Sequence, residues 1–119
     1  MKSFIINRIR SIGYAFKGAY LLFKNEASIQ TQAVIAVLIT VAGFYFQISS
    51  TEWAIQLLTI AAVMGAEGMN TAIEEIADFI HPEHHQRIGK IKDLAAGAVF
   101  IVAIVAMVIG AIIYFPKIF

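Results

Sequence analysis

Long apolar runs alternate with short polar interruptions along the chain, and the spacing of the apolar positions changes from one run to the next. Over residues 4–24, Ile5, Ile9, Ile12, Phe16, Tyr20 and Phe23 recur at steps of four and three, a helical period, while Arg8, Arg10, Lys17 and Lys24 fall largely off that stripe. The pattern predicts an amphipathic helix lying along an anionic membrane surface. No unbroken apolar core follows the first basic residues and no small-residue cleavage site is present, which argues against a secretory leader. Asn25-Glu26-Ala27-Ser28 breaks the period. Asn25 is a candidate N-cap for the next helix, and Glu26 sits in its first turn, where the helix dipole alone accounts for an acid.

Three further runs read as membrane spans, over residues of about 29–48, 53–76 and 94–115. Ser49-Ser50-Thr51-Glu52 reads as a polar turn, and Trp53 opens the second span at an interface-favoured aromatic position. Residues 79–93 read as a loop carrying His81, Glu83, His84 and His85, and Pro116 as the end of the third span. The fold expected is an all-α membrane protein, one domain over residues 1–119 made of a surface helix and three spans. Small residues, among them Gly65, Ala66, Ala95, Ala96, Gly97 and Gly110, give the second and third spans faces suited to close helix packing.

Composition agrees with this pattern. Of 119 residues 60% are hydrophobic and 14% charged, whereas soluble domains average about 45–50% and about 25%. The net charge of +1 hides an uneven distribution. Lys2, Arg8, Arg10, Lys17 and Lys24 precede the first acid, Arg87, Lys90 and Lys92 lie before the third span, and residues 49–52 carry no cation. The positive-inside rule places the amino terminus and the second loop of a multi-pass membrane protein in the cytoplasm. Basic residues tied to the ends of spans do not suggest a nucleic-acid surface. The lack of cysteine excludes disulfides, thiolate metal sites and cysteine nucleophiles.

Candidate chemistry concentrates at the cytoplasmic end of the second span. At about 100° per residue, Glu67, Asn70, Glu74 and Asp78 share one helical stripe, with Thr71 beside them. Glu67 lies about 21 Å along the helix from Trp53, just inside the cytoplasmic edge of a hydrocarbon layer about 30 Å thick. Acids in such a place need a partner. A divalent cation with phosphates would suit Glu74 and the nearby Lys92 and Arg87, with Glu67 deep enough to take a proton from a lipid hydroxyl. Pairing with basic side chains of a neighbouring helix would satisfy the same acids. Glu75 and Asp78 read as solvated. Gly13 and Gly18 have the spacing of a phosphate loop, but Ala19 stands where its lysine belongs. Three histidines in an exposed loop, without a fourth ligand, read as solvated rather than as a zinc site.

The strings Glu67-Gly68-Met69-Asn70-Thr71-Ala72-Ile73-Glu74-Glu75-Ile76-Ala77-Asp78 and Lys92-Asp93-Leu94-Ala95-Ala96-Gly97-Ala98-Val99 resemble the signature of the small prokaryotic diacylglycerol kinases, whose members include undecaprenol kinases. Gly13-Tyr14-Ala15-Phe16-Lys17-Gly18 and Asn25-Glu26-Ala27 extend the resemblance over nearly the whole chain. It implies a homotrimer of three-span subunits that moves the γ-phosphate of ATP, with Mg²⁺, to a membrane lipid alcohol at sites shared between subunits. By position, Glu67 resembles the general base and Asn70 its catalytic neighbour, while Glu26 and Glu74 resemble the metal-binding carboxylates. Tyr14, Glu83, His84, His85, Lys92 and Asp93 match ATP-contacting positions, and Glu67 and Ala96 match substrate-contacting ones. Where some members carry an arginine early in the surface helix this chain has Asn7, and Arg10 is the cation taken as its substitute at the nucleotide.

Asn70-Thr71-Ala72 and the run Ala95-Ala96-Gly97-Ala98 resemble the undecaprenol-using branch more than the diacylglycerol-using one, which more often has serine after the asparagine. An oligomeric proton or cation transporter would also use acids inside a membrane. Lys92 and Asp93 beside the stripe favour the kinase, because a cation path gains nothing from a fixed lysine at its mouth.

Overall fold

The computed structural model describes residues Met1–Phe119 as four helices: α1 (Lys2–Asn25), α2 (Ala27–Tyr45), α3 (Ser50–Ile80) and α4 (Gln86–Ile118). No strand is present. The most extensive packing joins α3 to α4, α2 lies against α3, and α1 touches the rest only lightly. The radius of gyration is 17.9 Å, against about 13.5 Å for a compact domain of this length. Accessible surface is 9050 Å², where a compact soluble chain of this mass would show about 6,400 Å². A single copy therefore leaves most of its apolar side chains uncovered. α2 and α4 are long and apolar enough to cross a membrane. α3 is long enough, at 31 residues, but the acids of its second half lower its apolarity.

The helix boundaries depart from the sequence expectations for local reasons. Asn25 is the last residue of α1 rather than a cap for α2. Glu26 takes the extended position between the two helices, and its N–H returns to the Leu22 carbonyl at 3.0 Å. The Gln30 amide donates to the carbonyls of Phe23 and Lys24 at 3.0 and 3.1 Å, so a side chain of α2 caps the end of α1 and fixes the elbow. α2 stops at Tyr45, short of residue 48. Gln47 adopts φ 52, its N–H reaches the Phe44 carbonyl at 3.3 Å and the Ile48 N–H reaches that of Gly43 at 3.1 Å. This is a Schellman stop with glutamine where glycine is usual.

The turn expected over residues 49–52 is already the start of α3. Ser49 Oγ accepts from the Glu52 N–H at 3.1 Å and Glu52 Oε1 accepts from the Ser49 N–H at 2.9 Å, a capping box. Trp53 therefore lies in the first turn, its ring over Gly43, where an added Cβ would stand 2.7 Å from the indole. The 79–93 loop shrinks to residues 81–85, because α3 continues to Ile80 and α4 starts at Gln86 with His85 Nδ1 accepting from the Arg87 N–H at 3.1 Å. Pro116 does not end α4, which runs to Ile118. In the last turn its missing donor costs only one bond.

Candidate functional site

α3 carries polar groups at both ends, and they are treated differently. Near its start, Tyr114 of α4 donates its hydroxyl to Gln56 Oε1, and Gln56 Nε2 donates to the Ile39 carbonyl of α2 at 3.3 Å. Gln56 is buried, and Ile48, Ile113 and Tyr114 form the core around it. Lys117 donates to Glu52 Oε2 at 2.8 Å and to the Ile113 carbonyl at 3.1 Å. The hydrogen bond from Lys117, and then the one from the Ser49 backbone, holds the Glu52 carboxyl below its ordinary range.

At the other end the groups are left open. Asn70 is 8% exposed and donates Nδ2 to Glu74 Oε1 at 3.3 Å, one helical turn on. Its Oδ1 is buried without a partner. Such an acceptor costs roughly 1–3 kcal/mol. Glu67 and Glu74 are half-buried. Beside Glu67, the bare backbone of Gly68 receives Leu22 of α1, whose Cδ1 would lie 3.0 Å from an added Cβ. That contact brings the end of α1 to the acidic stripe, and the elbow residue Glu26 follows four positions later.

Asp78, expected to be solvated, accepts a hydrogen bond from Lys92 Nζ across the α3–α4 interface. The bond to Asp78 raises the Lys92 ammonium above its ordinary range. A basin of about 620 Å³ at the start of α4 is lined by His84, His85, Arg87, Lys90 and Asp93, together with Gln86 and Gly89. It gathers three of the anticipated nucleotide positions with Arg87, which the sequence already sets beside phosphates, and adds Lys90, which the sequence offers only as part of a basic group. Glu83 is exposed in the loop, and its carbonyl lies 2.7 Å from His81 Nδ1. Ala96 is exposed on α4, one turn beyond Lys92. Tyr14 is 72% exposed and Gly13 and Gly18 open onto empty space, so this part of α1, with Arg10, stands clear of the stripe within one chain.

No three histidine or carboxylate side chains of one chain converge as a metal cluster. The oxygens on offer, the Glu74 carboxylate and the orphaned Asn70 Oδ1, are hard donors, and they fit an ion such as Mg²⁺ that completes its shell with water and phosphate. Between α2, α3 and α4 runs a groove of about 480 Å³, aliphatic apart from Gln32, Gln56, Thr59, Tyr114 and two methionines. Gln32 Oε1 is buried there without a partner.

Residues 13–114 match the family described as prokaryotic diacylglycerol kinase. The undecaprenol kinase of Bacillus subtilis (strain 168) is 35% identical over 113 residues, 94% of this chain and 92% of that protein. The diacylglycerol kinase of Escherichia coli (strain K12) is 30% identical over 105 residues, 88% of this chain and 86% of that protein. That of Haemophilus influenzae (strain ATCC 51907 / DSM 11121 / KW20 / Rd) is 31% identical over 108 residues, 90% of this chain and 92% of that protein.

Proposed function

The chain belongs to the prokaryotic diacylglycerol kinase family, and from that membership we propose an integral-membrane lipid kinase that transfers the γ-phosphate of ATP to a lipid hydroxyl, undecaprenol in preference to diacylglycerol. The observation that carries this reading is the half-open polar stripe of α3. Glu67, Asn70 and Glu74 follow one another on one face, and a buried amide oxygen among them has no partner. Glu67, at the drier end, takes the proton from the lipid hydroxyl as its oxygen bonds to the γ-phosphorus, and the bond from that phosphorus to the leaving ADP oxygen breaks. Asn70 orients the Glu74 carboxylate. Mg²⁺ brought with the nucleotide would be held by Glu26 and Glu74 and would offset charge on the phosphates. Lys92 and Asp93, with the basin of His84, His85, Arg87 and Lys90, receive the phosphates and the nucleotide, and Ala96 leaves room for the lipid.

The undecaprenol preference is supported by the 35% identity with the Bacillus subtilis undecaprenol kinase and by Thr71 after Asn70. A homotrimer is supported by the large uncovered apolar surface and by Gly65, Gly97 and Gly110, each facing open space where a neighbouring helix can approach. In such an assembly Tyr14 and Arg10 meet the stripe of another subunit. Three spans, with the amino terminus and residues 81–85 in the cytoplasm, agree with the distribution of cations. The test uses purified protein in lipid nanodiscs with phosphate-labelled ATP and Mg²⁺, offered undecaprenol, diacylglycerol or neither. Labelled undecaprenyl phosphate in excess over labelled phosphatidic acid is expected. ATP turnover indifferent to added lipid would overturn the kinase reading, and equal or greater labelling of diacylglycerol would overturn the preference.

A further inference from the structure

We propose that Asp78 is a positioning residue for phosphoryl transfer: it holds the Lys92 ammonium beside the acidic stripe and off the Glu74 carboxylate. The inference rests on the reading of Lys92 as a phosphate contact. Asp78 and Lys92 join the two most extensively packed helices, on side chains 57% and 38% exposed. An ion pair this open to solvent adds little to stability, so stability does not account for it. Its exposure leaves the ammonium reachable by an incoming anion.

Geometry supplies the role. Asp78 lies one turn beyond Glu74 on the same face of α3, so the two carboxylates are the competing partners for one lysine on α4. With Asp78 engaged, the hydrogen bond recorded to the Glu74 side chain is the one from Asn70, and the rest of that carboxylate remains available to a cation. Without Asp78, the long flexible stem of Lys92 is drawn to Glu74 and occupies the carboxylate that the metal–nucleotide needs. The buried small residues Ala77 and Ala95, adjacent to Asp78 and one turn beyond Lys92, keep the backbones close enough for the pair to span the interface.

The test compares Asp78→Asn, Asp78→Glu, Lys92→Ala and the double variant Asp78→Asn/Lys92→Ala in nanodiscs, with MgATP and lipid varied separately. Asp78→Asn is expected to raise KM for MgATP about tenfold, with the lipid KM and the unfolding midpoint in detergent unchanged. Asp78→Glu restores most of the MgATP affinity. In binding measured with a fluorescent ATP analogue, Asp78→Asn adds no further loss to Lys92→Ala. A MgATP KM unchanged in Asp78→Asn, while Lys92→Ala still weakens nucleotide binding, sinks the positioning role and leaves the kinase reading standing. A parallel fall in unfolding midpoint that Asp78→Glu does not reverse also overturns it, as a purely structural effect. Undiminished nucleotide binding in Lys92→Ala removes the phosphate role of Lys92 and this inference with it.

Discussion

The two halves of α3 solve the same problem in opposite ways. In the first half the polar side chains that are not fully exposed have partners: Glu52 and Ser49 cap each other, Lys117 meets Glu52, Thr59 donates to the Ile55 carbonyl, and Tyr114 and the Ile39 carbonyl meet Gln56. In the second half Glu67 and Glu74 are half-buried and the Asn70 carbonyl is buried and alone. Both halves belong to one helix packed along α4, the first half also meeting α2 and the second the end of α1, and they differ in whether a buried polar atom is given a partner. Polar groups closed on one another hold a structure together, whereas polar groups left open at a matching cost are kept for something that binds.

Substitutions along α3 should therefore separate activity from stability according to the half they fall in. The largest effect is expected at Glu67. Glu67→Gln should lower kcat by about 10²–10⁴-fold, the usual worth of a general base, with MgATP binding nearly intact. A loss below tenfold would place the base elsewhere. Asn70→Leu should reduce turnover by about 10²-fold, the scale for one preorganised hydrogen-bonding group, and should raise the unfolding midpoint because the orphaned acceptor is gone. A variant that is both inactive and less stable would erase the contrast. In the first half the signs reverse. Tyr114→Phe strips Gln56 Oε1 of its donor and should destabilise the protein by about 1–3 kcal/mol, while activity per folded molecule stays at the native level.

The smallest effect concerns Glu52. Its carboxyl is held low by Lys117 and by the Ser49 backbone, so its contribution is present above the unfolded value of about 4.3 and is lost as the pH falls through the lower folded value. Unfolding midpoints of the native protein and of Glu52→Gln should differ near neutrality and converge in acid. A gap that persists at low pH would assign the stabilisation to the capping geometry instead of the charge.

The helices and the acidic stripe are legible in the sequence, whereas the contrast between partnered and open polar groups is not. The period through Ile5 and Phe23, the apolar runs and the face shared by Glu67, Asn70 and Glu74 are local properties, and local spacing reads them directly. The start of α3 was also local: Ser49 with Glu52 three residues on is a capping-box signature, misread as a turn because both residues are polar. The stop at Gln47 was less legible, since glutamine seldom takes the left-handed conformation that glycine marks in a sequence. Pairs such as Tyr114 with Gln56, Lys117 with Glu52 and Lys92 with Asp78 join residues far apart in the chain. They exist only after the helices dock, which is why Asp78 looked like a bystander.

The acids that lower the apolarity of α3 also bear on how the protein is made. α2 and α4 are long and apolar enough to cross a membrane, and α3, between them in the chain, is less apolar because of its acids. On the three-span reading, α3 emerges from the ribosome ahead of the partner it packs against most, separated from it by the five residues 81–85. Its second half gains shelter when α4 follows, and Lys92 then supplies the countercharge for Asp78. On that reading a late, strongly apolar helix escorts an earlier and less apolar one, and truncation before α4 should lower the fraction of α3 found inserted.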